Sequence, residues 1–142
     1  MSVLDGDDIV YVARAAVRRI MSVSISVGTR FAAYTTSMGR VLLAFSDAPL
    51  PQTIERPTPL SLATIEQLRA ELANVRSHGY SLVDQELEIG LRSLAVGITD
   101  ATGTVIAAIN VSVAAGAYST DELVDKLLPR LRAAAEAIEA SL

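Results

Sequence analysis

Thr36, Ser37 and Met38 stand where the chain passes from small hydroxylated residues into an apolar, helix-compatible run, Gly39-Arg40-Val41-Leu42-Leu43-Ala44. With Thr36 as N-cap, the backbone N–H groups of Ser37 and Met38 have no acceptor inside the helix. They point the same way as the positive end of the helix dipole, so such a start can hold a carboxylate or a phosphate. On the local pattern alone an ordinary capped helix is the commoner reading.

Other polar residues invite chemistry of a different kind. Asp84, Glu86 and Glu88 alternate; on one strand they would share a face, and paired carboxylates can serve acid–base catalysis or bind a cation. A solvated strand edge explains them as well. Ser93, Asn110 and Ser112 interrupt apolar segments, and Asn110 and Ser112 face the same way if they share a strand. On a buried face they need partners, found either across a hairpin or on a ligand. Met21, Val23 and Ile25 alternate and suit a pocket wall or a core equally. Arg40, in the first helical turn, can add charge to an anion site or form a surface ion pair. The single histidine, His78, sits beside Gly79 at an expected helix C-terminus, where a dipole contact accounts for it.

A hydrolase using Ser93 or Ser112 with Asp84 is one rival reading, and a ligand-free dimerisation module is another. The enzyme lacks a Ser–His–Asp pattern, a G-x-S-x-G elbow and a metal-ligand cluster. No cofactor is expected.

These residues need elements to position them. Ile9 to Ala15 and Ile20 to Val27 read as strands, and Asp5-Gly6-Asp7 as a tight turn before them. Ser37 to Phe45 reads as a helix. Ser46 to Ser61 holds four of the five prolines and reads as a loop. Ile65, Leu68, Leu72 and Val75 repeat at helical spacing up to Gly79. Tyr80 to Glu86, Ser93 to Thr99 and Thr104 to Val113 read as strands, the last two joined by a turn at Asp100-Ala101-Thr102-Gly103. Ser119 with Glu122 makes a capping box for a last helix. Its apolar stripe is Leu123, Leu127, Leu131, Ala134 and Ile138, and Pro129 inside it should kink or split it. Hairpin connections favour an α+β fold with a mainly antiparallel sheet and helices on its faces.

A chain of 142 residues, 51% hydrophobic, can build a real core and is not disordered. It has no cysteine, which excludes disulfides and thiolate metal sites. The apolar runs are too short for a bilayer span and none resembles a signal peptide, so a cytoplasmic protein without membrane contact is expected. The net charge of −4, without a basic cluster, makes the chain a poor nucleic-acid binder by itself.

Four segments, in order, carry a resemblance. The first is Val3-Leu4-Asp5-Gly6-Asp7-Asp8-Ile9-Val10-Tyr11-Val12-Ala13-Arg14, and the second runs from Tyr34-Thr35-Thr36-Ser37-Met38-Gly39-Arg40 to Ala44. The third runs from Gly79-Tyr80-Ser81-Leu82-Val83-Asp84-Gln85-Glu86 to Val96, and the fourth from Asp100-Ala101-Thr102-Gly103-Thr104 to Ser112. Together they resemble the effector-binding domain of IclR-type bacterial transcription regulators, over nearly the whole chain. Arg18-Arg19-Ile20-Met21-Ser22-Val23 and Val27-Gly28-Thr29-Arg30 look closest to the PcaR/PcaU/PobR branch, whose members sense aromatic acids and their ring-cleavage products.

The resemblance implies a curved, GAF/PAS-like sheet and one effector domain over residues 1–142, with the family's winged helix-turn-helix absent from this chain. It implies a small carboxylate effector held by the amides of Ser37 and Met38, with Asp84, Ser93, Asn110 and Ser112 around its other polar atoms. It further implies self-association to a dimer or tetramer, and contact with DNA only through the absent N-terminal domain. Three positions depart from the family's habit: Ala32 and Gly97 stand where it usually has proline, and Thr35 where it often has cysteine.

Overall fold

The computed structural model describes residues 1–15 and 25–142. Arg18-Arg19, and Met21 and Val23 of the expected strand from Ile20 to Val27, lie outside them. At the described end of that strand, Val27 and Gly28 form a turn instead. Gly28 has φ +93°, a conformation that glycine adopts without a side-chain clash, and its N–H donates to the Tyr11 carbonyl at 2.8 Å. The turn feeds a short strand that the sequence pattern does not reveal.

Six strands form one sheet: β1 (Ser2–Asp5), β2 (Asp8–Tyr11), β3 (Arg30–Ala32), β4 (Ser81–Asp84), β5 (Leu91–Thr99) and β6 (Val105–Ala114). Their order is β3-β2-β1-β6-β5-β4, and every pairing is antiparallel. The expected turn at Asp5-Gly6-Asp7 closes the β1–β2 hairpin, but β2 ends at Tyr11 rather than at Ala15.

The two faces of the sheet carry different helices. Helix α1 (Ser37–Ala44) lies between the sheet and α2 (Ile65–His78), and all eight of its residues are buried. Ile9, Tyr11, Ala95 and Ala108 from the sheet meet Met38, Val41 and Leu42 of α1 there, and Leu68, Leu72 and Val75 of α2 complete this core. Helix α2 begins at Thr64, whose side chain accepts from the Gln67 N–H, and stops at Gly79 in the left-handed region, as the spacing predicts.

The opposite face buries Leu94, Val96, Ile98, Ala107 and Ile109 under the C-terminal helix. That helix starts at the expected capping box of Ser119 and Glu122 as a short α3 (Thr120–Glu122). It continues through a π-helical turn (Leu123–Leu127) into α4 (Leu128–Glu139). Pro129 thus splits the helix. Its ring crowds the preceding turn and offers no N–H, and the wider turn accommodates it. The extra residue moves the buried stripe to Leu123, Leu128, Leu131 and Ala135. Leu127 is only partly buried and Ala134 is exposed, contrary to the uninterrupted helical spacing.

Candidate ligand-binding site

The site grows from the start of α1. Thr36 caps the helix as expected: its Oγ1 accepts from the Gly39 N–H at 2.9 Å, and its carbonyl accepts from the Arg40 N–H at 3.0 Å. The amides of Ser37 and Met38 lie ahead of that ladder, with no protein acceptor among the described residues. Gly39 permits the geometry. A Cβ there would lie 2.0 Å from the carbonyl oxygen of Ala33, which belongs to the 3-10 turn Ala33–Thr35 pressed against the helix start.

Opposite this helix start, β5 and β6 present a polar floor. Ser93 pairs with Ser112 across the two strands, and Asn110 is two residues from Ser112 on the same face. The Asn110 Nδ2 donates to Ser93 Oγ and to Ser112 Oγ, each at 3.1 Å. Ser112 Oγ donates to Ser93 Oγ at 3.3 Å, and Ser93 Oγ lies 2.6 Å from Ser37 Oγ. A hydroxyl has two lone pairs and one hydrogen. Ser93 accepts from Asn110 and Ser112, so its own hydrogen goes to Ser37. That frees the Ser37 hydroxyl hydrogen and leaves the Asn110 Oδ1 as an acceptor. The cluster therefore offers a donor at the helix start, beside two backbone donors, and an acceptor further along the floor.

One cavity brings these groups together. Thr35, Thr36, Ser37 and Met38 line one side, and Ser93, Asn110 and Ser112 the other. Tyr11, Val83, Leu87 and Leu91 supply apolar wall. None of these four carries a polar or capping signal in the sequence. Tyr11 is signalled by its alternation with Ile9, whereas nothing local marks Leu87. Burial raises the Tyr11 pKa, and Arg14 acts against the shift, so the phenol stays neutral. The cavity is partly open to solvent: about 20 Å³ lies within its walls, and the hollow measures about 370 Å³ only when the open space is counted. The smaller figure describes the room inside, and it suits about one water molecule.

Asp84 is not among the residues brought together. On β4 it alternates with Val83, which lines the cavity, so it faces away from the floor. Its Oδ1 accepts from Arg92 Nε at 2.7 Å. Arg92 also donates to the carbonyls of Ala115 and Tyr118, at 2.9 and 2.7 Å. Asp84, Glu86 and Glu88 share no strand face either, because β4 ends at Asp84 and Gln85 turns the chain at φ +59°. A Ser93–Asp84 or Ser112–Asp84 pair for hydrolysis is thereby left without geometry.

Arg40 differs from both of its expectations. Its side chain is 2% exposed and holds the Glu86 carboxylate with two nitrogens, at 3.0 and 2.8 Å. Its Nε donates to the Tyr34 carbonyl at 2.8 Å. Glu86 matches its charge, so the pull on an anion comes from helix amides rather than from a free cation. His78 Nδ1 lies 2.8 Å from the Asn74 carbonyl, at the end of α2 where the dipole argument places it. No group of three or more potential metal ligands occurs among the described residues.

The fold and this cavity define an effector-binding domain, and the chain belongs to the family described as Bacterial transcriptional regulator IclR C-terminal, which matches residues 1–140. It is a regulatory rather than an enzymatic unit. The Pca regulon regulatory protein of Pseudomonas putida is 49% identical over 141 residues, 94% of this chain and 48% of that protein. A transcriptional regulator from Rhodococcus sp. RHA1 has a crystal structure that matches with a TM-score of 0.88 at 46% identity, covering 98% of this chain and 58% of that one. The inducer-binding domain of PobR from Acinetobacter, a double mutant in complex with 3-hydroxybenzoic acid, matches with a TM-score of 0.85 at 30% identity, covering 97% of this chain and 85% of that one. These likenesses give the sheet the curved form expected from the sequence. The chain spans about half the length of the curated relatives it matches.

Proposed function

We propose that residues 1–142 act as one sensing unit that binds a small organic acid, an aromatic acid or a β-ketoadipate-pathway intermediate. The observation that carries this reading is the meeting of the Ser37 and Met38 amides with the Ser93–Asn110–Ser112 floor in a single cavity. The ligand carboxylate docks on the two amides and the Ser37 hydroxyl, where free donors and helix dipole add. A second polar group of the ligand, such as a ring hydroxyl, donates to the Asn110 Oδ1. The names of the relatives support this chemistry: one regulates a Pca regulon, and another is solved with a hydroxybenzoic acid.

In the longer protein, ligand binding favours one arrangement of a dimer or tetramer over another and so alters DNA binding through a separate N-terminal reader. The acidic balance of this chain leaves it no DNA contact of its own. We place the protein in the cytoplasm, away from the membrane. No helix among the described residues is long and apolar enough to cross one.

Calorimetry with matched pairs, benzoate against methyl benzoate and 4-hydroxybenzoate against its methyl ester, tests the docking. The acids are expected to bind and the esters to lose most of the affinity. Equal affinity within each pair would remove the helix start from the site.

A further inference from the structure

We propose that Leu87 sets the size limit for the ligand, and that the buried Arg40–Glu86 ion pair is the positioning device that holds Leu87 against the cavity. This rests on the acid-binding reading above and adds what decides which acids fit.

A benzene-sized guest takes a cavity of about 150 Å³, whereas this partly open cavity has about 20 Å³ of room inside its walls. A ring acid needs one wall to withdraw. Tyr11, Val83, Leu91 and Met38 belong to β2, β4, β5 and α1. Moving them disturbs strand pairs such as Val83 with Ser93 and Leu91 with Ala114, or the first turn of a buried helix. Leu87 is the one apolar wall residue outside any strand or helix. It can retreat without breaking a ladder.

Its position is nevertheless fixed from several sides. Glu86, next to it, is clasped by both terminal nitrogens of Arg40 from the helix that bears Ser37 and Met38. Thr58 Oγ1 donates to the Gln85 carbonyl at 2.7 Å, and Ser61 Oγ to the Glu86 carbonyl at 2.6 Å. The Gln85 Oε1 accepts from the Gly90 N–H at 3.0 Å, which draws the two ends of the turn together. Gln85 is the one non-glycine residue with positive φ among the described residues, at +59°. Such a conformation persists where surrounding contacts over-determine it, and these residues gather at ligand clamps. Arg40 is buried at 2% side-chain exposure and Glu86 partly buried at 13%, so separating them leaves a charge out of water without its partner. The distance between helix start and Leu87 is therefore set by a stiff link.

The test is calorimetry of the 142-residue chain with three acids of rising size: benzoate, 4-hydroxybenzoate and 2-naphthoate. Leu87→Ala is expected to raise the naphthoate-to-benzoate affinity ratio by about tenfold or more, the scale on which a pocket reads a few methylenes. The double variant Arg40→Met/Glu86→Met removes both charges together and is expected to move the same ratio in the same direction. Ile89→Ala, on the exposed side of the same turn and away from the cavity lining, serves as the control expected to leave the ratio unchanged. An unchanged ratio in Leu87→Ala overturns the proposal even if every acid binds. A shifted ratio in Leu87→Ala with an unshifted one in a folded double variant overturns the positioning role of the ion pair. Should the double variant not fold, Glu86→Gln carries the same readout. Absence of acid binding in wild type and all variants overturns both this proposal and the acid-binding reading on which it rests.

Discussion

A single hydroxyl, Ser93 Oγ, touches Ser37, Asn110 and Ser112 and so joins the helix start to the sheet floor. Asn110→Ala is expected to weaken ring-acid binding more than it destabilises the free protein. A lost hydrogen bond to a charged or strongly polar group is worth roughly 1.5–3 kcal/mol, about ten- to hundredfold in Kd. The free fold keeps the Ser93 bonds to Ser37 and Ser112, and water can take the vacated corner. Calorimetry beside thermal melting separates the two effects, and a large fall in Tm with near-native affinity would make Asn110 structural. Ala32 offers a prediction of the opposite sign. Its φ is −56°, which proline prefers. The Ala33 N–H donates to the Asp7 carbonyl while Ala32 stands opposite Asp8, so the Ala32 N–H points away from β2. Ala32→Pro should raise stability by about 0.4–1 kcal/mol by restricting the unfolded chain, read as a higher Tm. At this scale the Thr36 cap ahead of Ser37 and Met38, and the shared face of Asn110 and Ser112, are legible because capping and alternation are local patterns; that these groups meet at one cavity was implied only by the family resemblance. Asp84 and Arg40 were not legible: which face the one takes, and which carboxylate the other meets, depends on where β4 stops.

Elements show the same division between local and distant causes. The capping box of the last helix and the glycine that ends α2 are written in adjacent residues and appear as expected. The π-helical turn is not, since Pro129 announces a disruption without saying how the backbone will absorb it. Helix α4 is also tied to the sheet by a contact that no spacing rule foretells. The Glu139 Oε1 accepts from the N–H and the hydroxyl of Thr99, each at 2.6 Å. These bonds, the hydroxyl first, lower the Glu139 pKa. Folding thus favours its ionised form. The contribution is complete above the ordinary glutamate pKa and is lost as pH falls through the lowered one. Glu71 on α2 behaves oppositely: burial raises its pKa, against the pull of Arg40. Its neutral form is favoured, so stability is lost as pH rises through the raised value. Glu139→Gln should therefore lower Tm at neutral pH and Glu71→Gln should raise it, and both differences should shrink in acid. Melting curves across that range decide it; a Glu139→Gln deficit that persists undiminished in acid would assign the loss to packing instead.

The molecule as a whole is an acidic chain in which Leu60 and Ile89 remain 54% and 57% exposed. Both flank the Gln85–Glu86 turn, since Thr58 and Ser61 bond to that turn directly. Exposed apolar groups of this kind, together with the family relationship, lead us to expect a dimer or tetramer. Light scattering at high concentration, with and without ligand, checks this, and a monomer under both conditions would count against it. The α+β character was readable from hairpin signals, but the strand order was not. Only distant pairing places β1 beside β6 in the middle of the sheet, through Ser2 and Ala108, and no local pattern encodes that register. The arrangement has a consequence during synthesis. β1, β2 and β3 precede β6 in the chain, so the open edge of β1 has no partner until β6 emerges after both α1 and α2. During that interval the nascent chain exposes a bare strand edge and the unfilled half of a core, an invitation to mispairing with neighbouring chains. The closing pair is Ser2 with Ala108, so the inner edge of β1 stays open to strangers until the β5–β6 hairpin arrives to cover it.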